Sequence, residues 1–153
     1  MASRRTGNRR ETAERRLRRA VARVLRWEGA RGVRVELTLL APTAMRRLNR
    51  RATGRRGLTD VLSFPLPQPS LPGRRGRDAL VGDVYICPAA ARRWVREAER
   101  EEEGGVDREL VRLAVHGTLH VLGWEHPEGP GRTRSAMWRR QERYVQRLAA
   151  GGR

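Results

Sequence analysis

The stretch from Leu110 to Leu122 constrains this chain more than any other. Nearly every direction around a helix drawn through it is apolar: Leu110, Val111, Leu113, Ala114, Val115, Leu119, Val121 and Leu122. A helix without a polar face must be covered on all sides, so the rest of the fold has to be built around it. Gly104 and Gly105 break the chain before it, and Asp107 and Glu109 suit its first turn, where a carboxylate meets the positive end of the helix dipole. Gly123 is placed to end it through a left-handed turn.

The chain has three histidines, and all of them lie in this region, in the window HGTLHVLGWEH. His116 and His120 are four apart, so a helix brings them to one face about 5 to 6 Å from each other. Beyond Gly123 the chain can return His126 to the same face. Three imidazoles can share one zinc ion at about 2.0 to 2.1 Å each, and nickel or cobalt fits the same ligands. Three protein ligands leave a fourth position open, the mark of a catalytic zinc. Water there has its pKa lowered to about 7, while the metal polarises a carbonyl or phosphoryl oxygen, so hydrolysis by metal-bound hydroxide is the expected reaction class.

The same histidine spacing marks a group of zinc proteases whose first histidine is followed by a glutamate acting as general base. Here that position is Gly117, and the base is missing. Glu125, beside His126, is the candidate for handling a proton or for hydrogen-bonding a ligand.

Charge points to the substrate. The 34 basic residues, every one an arginine, outnumber 17 acidic ones to give a net charge of +17. A GC-rich genome accounts for arginine in place of lysine but not for the excess, which favours polyanions and makes nucleic acid the leading partner. With the glutamate absent, phosphodiesters fit better than peptides. Aromatic residues make up only 5% of the chain, so no extended stacking platform is expected, and binding should be electrostatic and salt-dependent. The lone Cys87 permits neither an intramolecular disulfide nor a thiolate zinc site, and no stretch is long and apolar enough to cross a bilayer. These features read as a cytoplasmic protein with no membrane partner.

One α+β domain accommodates the pattern. Residues 1 to 10 form a basic tail, expected to be disordered, and residues 11 to 150 a single metal-dependent hydrolase domain. Leu17, Val21, Val24 and Leu25 mark a first amphipathic helix over residues 11 to 29. Alternation from Val33 to Leu39 marks a strand, and Pro42 opens a short helix holding Met45 and Leu48. A second strand runs from Thr59 to Phe64, followed by an irregular basic segment from Leu66 to Asp78 able to cover a site. The third strand, Leu80 to Ile86, carries Leu80, Val84 and Ile86 on one face and Val81 and Tyr85 on the other. Pro88 then opens a helix expected to bury Ala91, Trp94, Val95 and Ala98, with a solvated acidic end at Glu99 to Glu103. A last helix, Thr133 to Leu148, points Met137, Tyr144 and Leu148 inward, completing about five helices around a small mixed sheet.

With these motifs in order, the chain resembles the YbeY-type metal-dependent endoribonucleases of bacteria and organelles. HGTLHVLGWEH is similar to their HGxLHLxGYDH signature, joined upstream by LN at Leu48 and Asn49, TDVLSFP from Thr59, GDVYIC from Gly82 and REL from Arg108. The resemblance implies an α+β fold with a small mixed sheet, and one zinc ion held by His116, His120 and His126. It also implies cleavage of single-stranded RNA in ribosomal RNA maturation and ribosome quality control, with the small ribosomal subunit as partner. Trp124 and Glu125 stand where that family has Tyr and Asp. The family's arginine within LNxxYR falls on Thr53, which leaves Arg50, Arg51, Arg55 and Arg56 as candidates to bind the scissile phosphate. Asp60 and Asp83 are candidates to support the metal face or a strand end, and Ser63 to touch substrate. Two other readings compete: a ribosome-assembly factor that binds RNA around a structural zinc, and a zinc peptidase with an unusual base.

Overall fold

The computed structural model describes residues 2–67, 79–97 and 105–151, with side chains from Thr12 onward. Most of the segment from Leu66 to Asp78, together with Ala98 and the acidic run Glu99 to Glu103, lies outside the described residues. Among the described residues, five α-helices and a short 3-10 helix surround a three-stranded sheet, so the expected α+β architecture holds. The helices are α1 (Ala2–Trp27), α2 (Pro42–Thr53), α3 (Pro88–Glu97), α4 (Gly105–Val121) and α5 (Ala136–Ala149), and the strands β1 (Val33–Leu39), β2 (Val61–Pro65) and β3 (Ala79–Ile86).

Leu17, Val21, Val24 and Leu25 are all buried, as their spacing requires. α1 nevertheless continues back to Ala2, through the segment expected as a disordered tail. Once the packed part is helical, each further residue fixes one conformation for one more hydrogen bond, so extension is easy.

The sheet order is β1-β3-β2, with β1 parallel and β2 antiparallel to β3. Pro65 ends β2 at a sheet edge, where its missing N–H harms no ladder. The strand alternation is interrupted in β3. Arg34 pairs with Leu80 but Val35 with Gly82, leaving Val81 as the extra residue of a bulge. Val81 therefore joins Val84 and Ile86 in one buried cluster, not the opposite face.

α4 is the central element, packed against α1, α3, α5 and all three strands. Two glycines let it lie close on β3. A Cβ at Gly117 would come within 2.6 Å of Val84 Cγ1, and one at Gly82 within 2.5 Å of Val121 Cγ1. Each element thus gives up a side chain where the other projects one. On α3, Ala90 and Ala91 are buried, but Trp94 is 55% exposed, contrary to its expected place in the core. The helix has only a narrow alanine face to bury, and Trp94 is left at its edge.

Before α5 the chain makes the 3-10 helix, Gly129–Arg134, so the last helix starts at Ala136 and not at Thr133. Ser135 sets that start, its hydroxyl accepting from the Trp138 N–H at 3.1 Å. Met137 and Tyr144 point inward as expected, Leu148 is half-buried, and the fully buried Gln141 sits between them.

Candidate metal centre

α4 carries His116 and His120 on one face near its C-terminal end. Gly123, at φ +93°, closes the helix in a Schellman turn: the Gly123 N–H donates to the His120 carbonyl and the Trp124 N–H to the Leu119 carbonyl, both at 3.0 Å. The turn reverses the chain and returns His126. The three rings stand 4.5 to 5.1 Å apart between centroids, with one nitrogen from each inside a group no wider than 4.8 Å.

Each ring is held by its Nδ1. His116 Nδ1 meets the Gln141 side-chain oxygen at 2.7 Å, His120 Nδ1 the Trp124 carbonyl at 2.8 Å, and His126 Nδ1 the Pro127 carbonyl at 3.0 Å. Those oxygens only accept, and the Gln141 amide nitrogen is itself turned to the Glu142 carboxylate at 3.1 Å, so all three Nδ1 atoms carry the proton. All three Nε2 atoms are then bare lone pairs. His120 Nε2 and His126 Nε2 nevertheless lie 3.2 Å apart, two acceptors facing each other with no hydrogen to share. Two ligands bound at about 2.0 to 2.1 Å to one tetrahedral ion are separated by about 3.3 Å, so a cation resolves the conflict at close to the observed spacing. The donor set fits one metal ion.

Burial reinforces this state. It pushes the His116 imidazolium down to about 4, against the pull of Gln141, and it also lowers His120, with His126 and Arg132 adding to the effect. Neutral imidazole is the form a metal takes. His116 also lines a cavity of about 460 Å³, whose wall includes Asp60, Glu109, Arg112, Arg132, Trp94 and Trp138. Burial raises the Asp60 carboxyl, and the nearby Glu109 charge adds to the rise.

The remaining predicted residues divide sharply. Arg50 and Arg51 are exposed in the last turn of α2, and Arg56 is exposed just beyond it. Arg55 reaches to 4.0 Å from Glu128, two residues past His126, and Glu125 is exposed beside the face. Asp60 enters the cavity wall, whereas Asp83 and Ser63 do not. Thr53, where the resemblance placed an arginine, ties off α2. Its hydroxyl is 2.7 Å from the Asn49 carbonyl and 2.9 Å from the Asn49 side-chain oxygen, and Asn49 in turn donates to the Gly57 carbonyl at 3.3 Å.

Sequence reasoning missed Gln141 and Arg132. Gln141 gave one signal, a polar residue on the inward stripe of an amphipathic helix, between Met137 and Tyr144. Arg132 gave none among so many arginines. Trp124 turns out to be a strut: its indole N–H donates to Glu28 at 2.9 Å, linking the metal turn to α1. Tyr144 donates to the same carboxylate, and Arg140 reaches it at 3.1 Å.

Fold and centre together define a small α+β domain with a three-histidine face, able to hold a metal ion, at the C-terminal end of its central helix. The chain belongs to the YbeY family, the model of which, described as endoribonuclease YbeY, matches residues 3–149. Among proteins named endoribonuclease YbeY, that of Anaeromyxobacter sp. (strain Fw109-5) is 40% identical over 116 residues, covering 75% of this chain and 55% of the relative. That of Thermobifida fusca is 46% identical over 74 residues, covering 47% and 45%. That of Thermotoga sp. (strain RQ2) is 30% identical over 116 residues, covering 76% and 68%. The chain thus spans about half the length of the first two relatives. The solution structure of TM1509 from Thermotoga maritima is similar with a TM-score of 0.55 and 25% identity, over 92% of this chain and 81% of that one.

Proposed function

We propose that this protein is a zinc-dependent endoribonuclease that hydrolyses single-stranded RNA. Its role is in ribosomal RNA maturation and ribosome quality control, in the cytoplasm, with the small ribosomal subunit as partner. The observation that carries the reading is the convergence of three imidazoles, one nitrogen from each within 4.8 Å of the others, with every Nδ1 held by an oxygen acceptor. The net charge of +17 supports a polyanionic substrate, and membership of an endoribonuclease family supports RNA.

His116, His120 and His126 hold the zinc ion. When bound, zinc supplies Lewis acidity toward a phosphoryl oxygen and lowers the pKa of a water molecule. Arg132, at the cavity rim, and Arg55, near Glu128, orient the phosphate as charge develops on it. The exposed Arg50, Arg51 and Arg56 draw in the backbone on either side. Glu125 stands exposed beside His126 to accept a proton.

Position 117 argues against the peptidase reading. A side chain there meets Val84, which is fully buried, so it is aimed into the sheet and not toward the histidine face. The test is cleavage of an end-labelled single-stranded RNA by zinc-loaded protein, with His120→Ala purified and assayed alongside. Cutting by the wild type alone, with the variant folded, is the expected result. Equal cutting by both, or none by either despite tight binding, refutes the nuclease assignment.

A further inference from the structure

We propose that the cavity beside His116 is a nucleobase subsite, in which Trp94 and Trp138 offer stacking faces to one base of the RNA strand. The proposal rests on the RNA-cleaving reading and deepens it by naming what lies next to the scissile phosphate.

The chain has four tryptophans, and two of them are engaged away from the cavity. Trp27 packs on Tyr144 at 5.1 Å between ring centroids, and Trp124 is bonded to Glu28. The other two, far apart in sequence and on different helices, both wall the same cavity. Trp94 is the one large hydrophobic side chain that stands exposed among the described residues. An exposed indole at a cavity mouth gains nothing for folding, but it offers a π-face to a ligand.

Charge selects the kind of ligand. Two carboxylates, Asp60 and Glu109, face two guanidiniums, Arg112 and Arg132. Arg112 is already committed, at 2.5 Å to Glu109 and 2.7 Å to Glu142. The interior therefore has no surplus positive charge to draw a phosphate inside, and a neutral ring suits it better. Arg132 differs from Arg112: it lies over the Trp138 ring at 5.7 Å and has no salt bridge among the described residues. It is free to hold the phosphate attached to the inserted nucleotide. A volume of about 460 Å³ lies within the range of small-molecule sites and admits a base with its ribose. Because His116 belongs both to this wall and to the metal face, the inserted nucleotide is the one beside the bond to be cut.

The experiment is fluorescence anisotropy with the metal-free protein, which separates binding from turnover. One probe is fluorescein-labelled pentaadenylate RNA; the other is the same pentamer with all five bases replaced by hydrogen. Wild-type protein is expected to prefer the intact pentamer by at least about fivefold, the low end for one stacked base. In Trp94→Ala that preference falls to within twofold, with the affinity for the abasic pentamer and the salt dependence unchanged. Trp94→Phe restores most of it, and Trp138→Leu, which keeps apolar volume under the helix, also reduces it. A full preference retained in both Trp94→Ala and Trp138→Leu overturns the subsite and leaves the nuclease reading intact. Failure of wild-type protein to bind either pentamer overturns both.

Discussion

Replacing Gln141 by leucine tests whether the metal face is set up from behind. Gln141 is 1% exposed, and its side-chain oxygen accepts the His116 Nδ1 proton at 2.7 Å. Leucine is of similar size but accepts nothing. The buried N–H then loses its partner, at about 1 to 3 kcal/mol, and the ring escapes that cost by moving its proton to Nε2. That tautomer blocks the atom needed by the metal, so binding must first reverse it. Loss of such a partner lowers metal affinity by about 10- to 100-fold, or about 1.4 to 2.7 kcal/mol. His120 and His126 rest on backbone carbonyls, which no side-chain substitution removes, so the effect should stay within this range and not abolish binding. The assay is competition for zinc against a chromophoric chelator at neutral pH, wild type beside Gln141→Leu. A folded variant that binds zinc within twofold of wild type refutes the argument.

Gly117→Ala should lower stability although it adds a good helix former. The new Cβ, 2.6 Å from a fully buried Val84 methyl, brings an overpacking penalty of about 1 to 3 kcal/mol against a gain of roughly 1 kcal/mol in propensity, and a rise in the urea midpoint would contradict this. Glu28→Ala removes the common acceptor of Trp124, Arg140 and Tyr144 from a side chain only 10% exposed. It should cost about 1 to 3 kcal/mol in chemical denaturation, a loss under about 0.5 kcal/mol counting against the strut. Acid should destabilise the metal-free protein through His116. Its folded pKa of about 4 lies below the unfolded value of 6.5, so the unfolded chain binds more protons between the two. Stability is then full above the upper value and falls by up to about 3 kcal/mol as pH drops to the lower one. A chelated sample equally stable across that window refutes the linkage, and a slope that survives His116→Asn assigns it to another group.

The metal face was legible in the sequence because a helix converts spacing directly into direction: residues four apart share a face, and a glycine after the last turn lets the chain double back. The strands were legible for a similar reason, until the bulge brought Val81 into the same cluster as Val84 and Ile86. Trp94 misled because hydrophobicity alone states a preference for burial, whereas the width of the face that α3 can bury is decided by its neighbours. The same limit hid the cavity. A low aromatic content argues against an extended platform, but it carries no information on whether two rings from separate helices meet at one place. Gln141 and Arg132 belong to this class too, since both act from across a long-range contact that no local pattern encodes.

Metal removal decides between a catalytic and a structural ion, and the packing already leans one way. A structural zinc substitutes for a core that the chain lacks, so that its loss unfolds the domain. Here one apolar cluster joins α1, β1, β3 and α4, and a second joins α1, α4 and α5, so a core of aliphatic and aromatic side chains is already in place. Of the three ligands only His116 is buried, while His120 and His126 sit half-exposed where α4 ends. Chelation should therefore leave the circular dichroism spectrum and cooperative unfolding in place. It should lower the melting temperature only by the lost binding linkage, about 2.7 kcal/mol when free metal stood at a hundred times its dissociation constant. RNA cleavage should vanish and return with added zinc. Loss of cooperative unfolding on chelation alone would mean that the ion holds the fold together, and the RNA-binding assembly factor would then be the better reading.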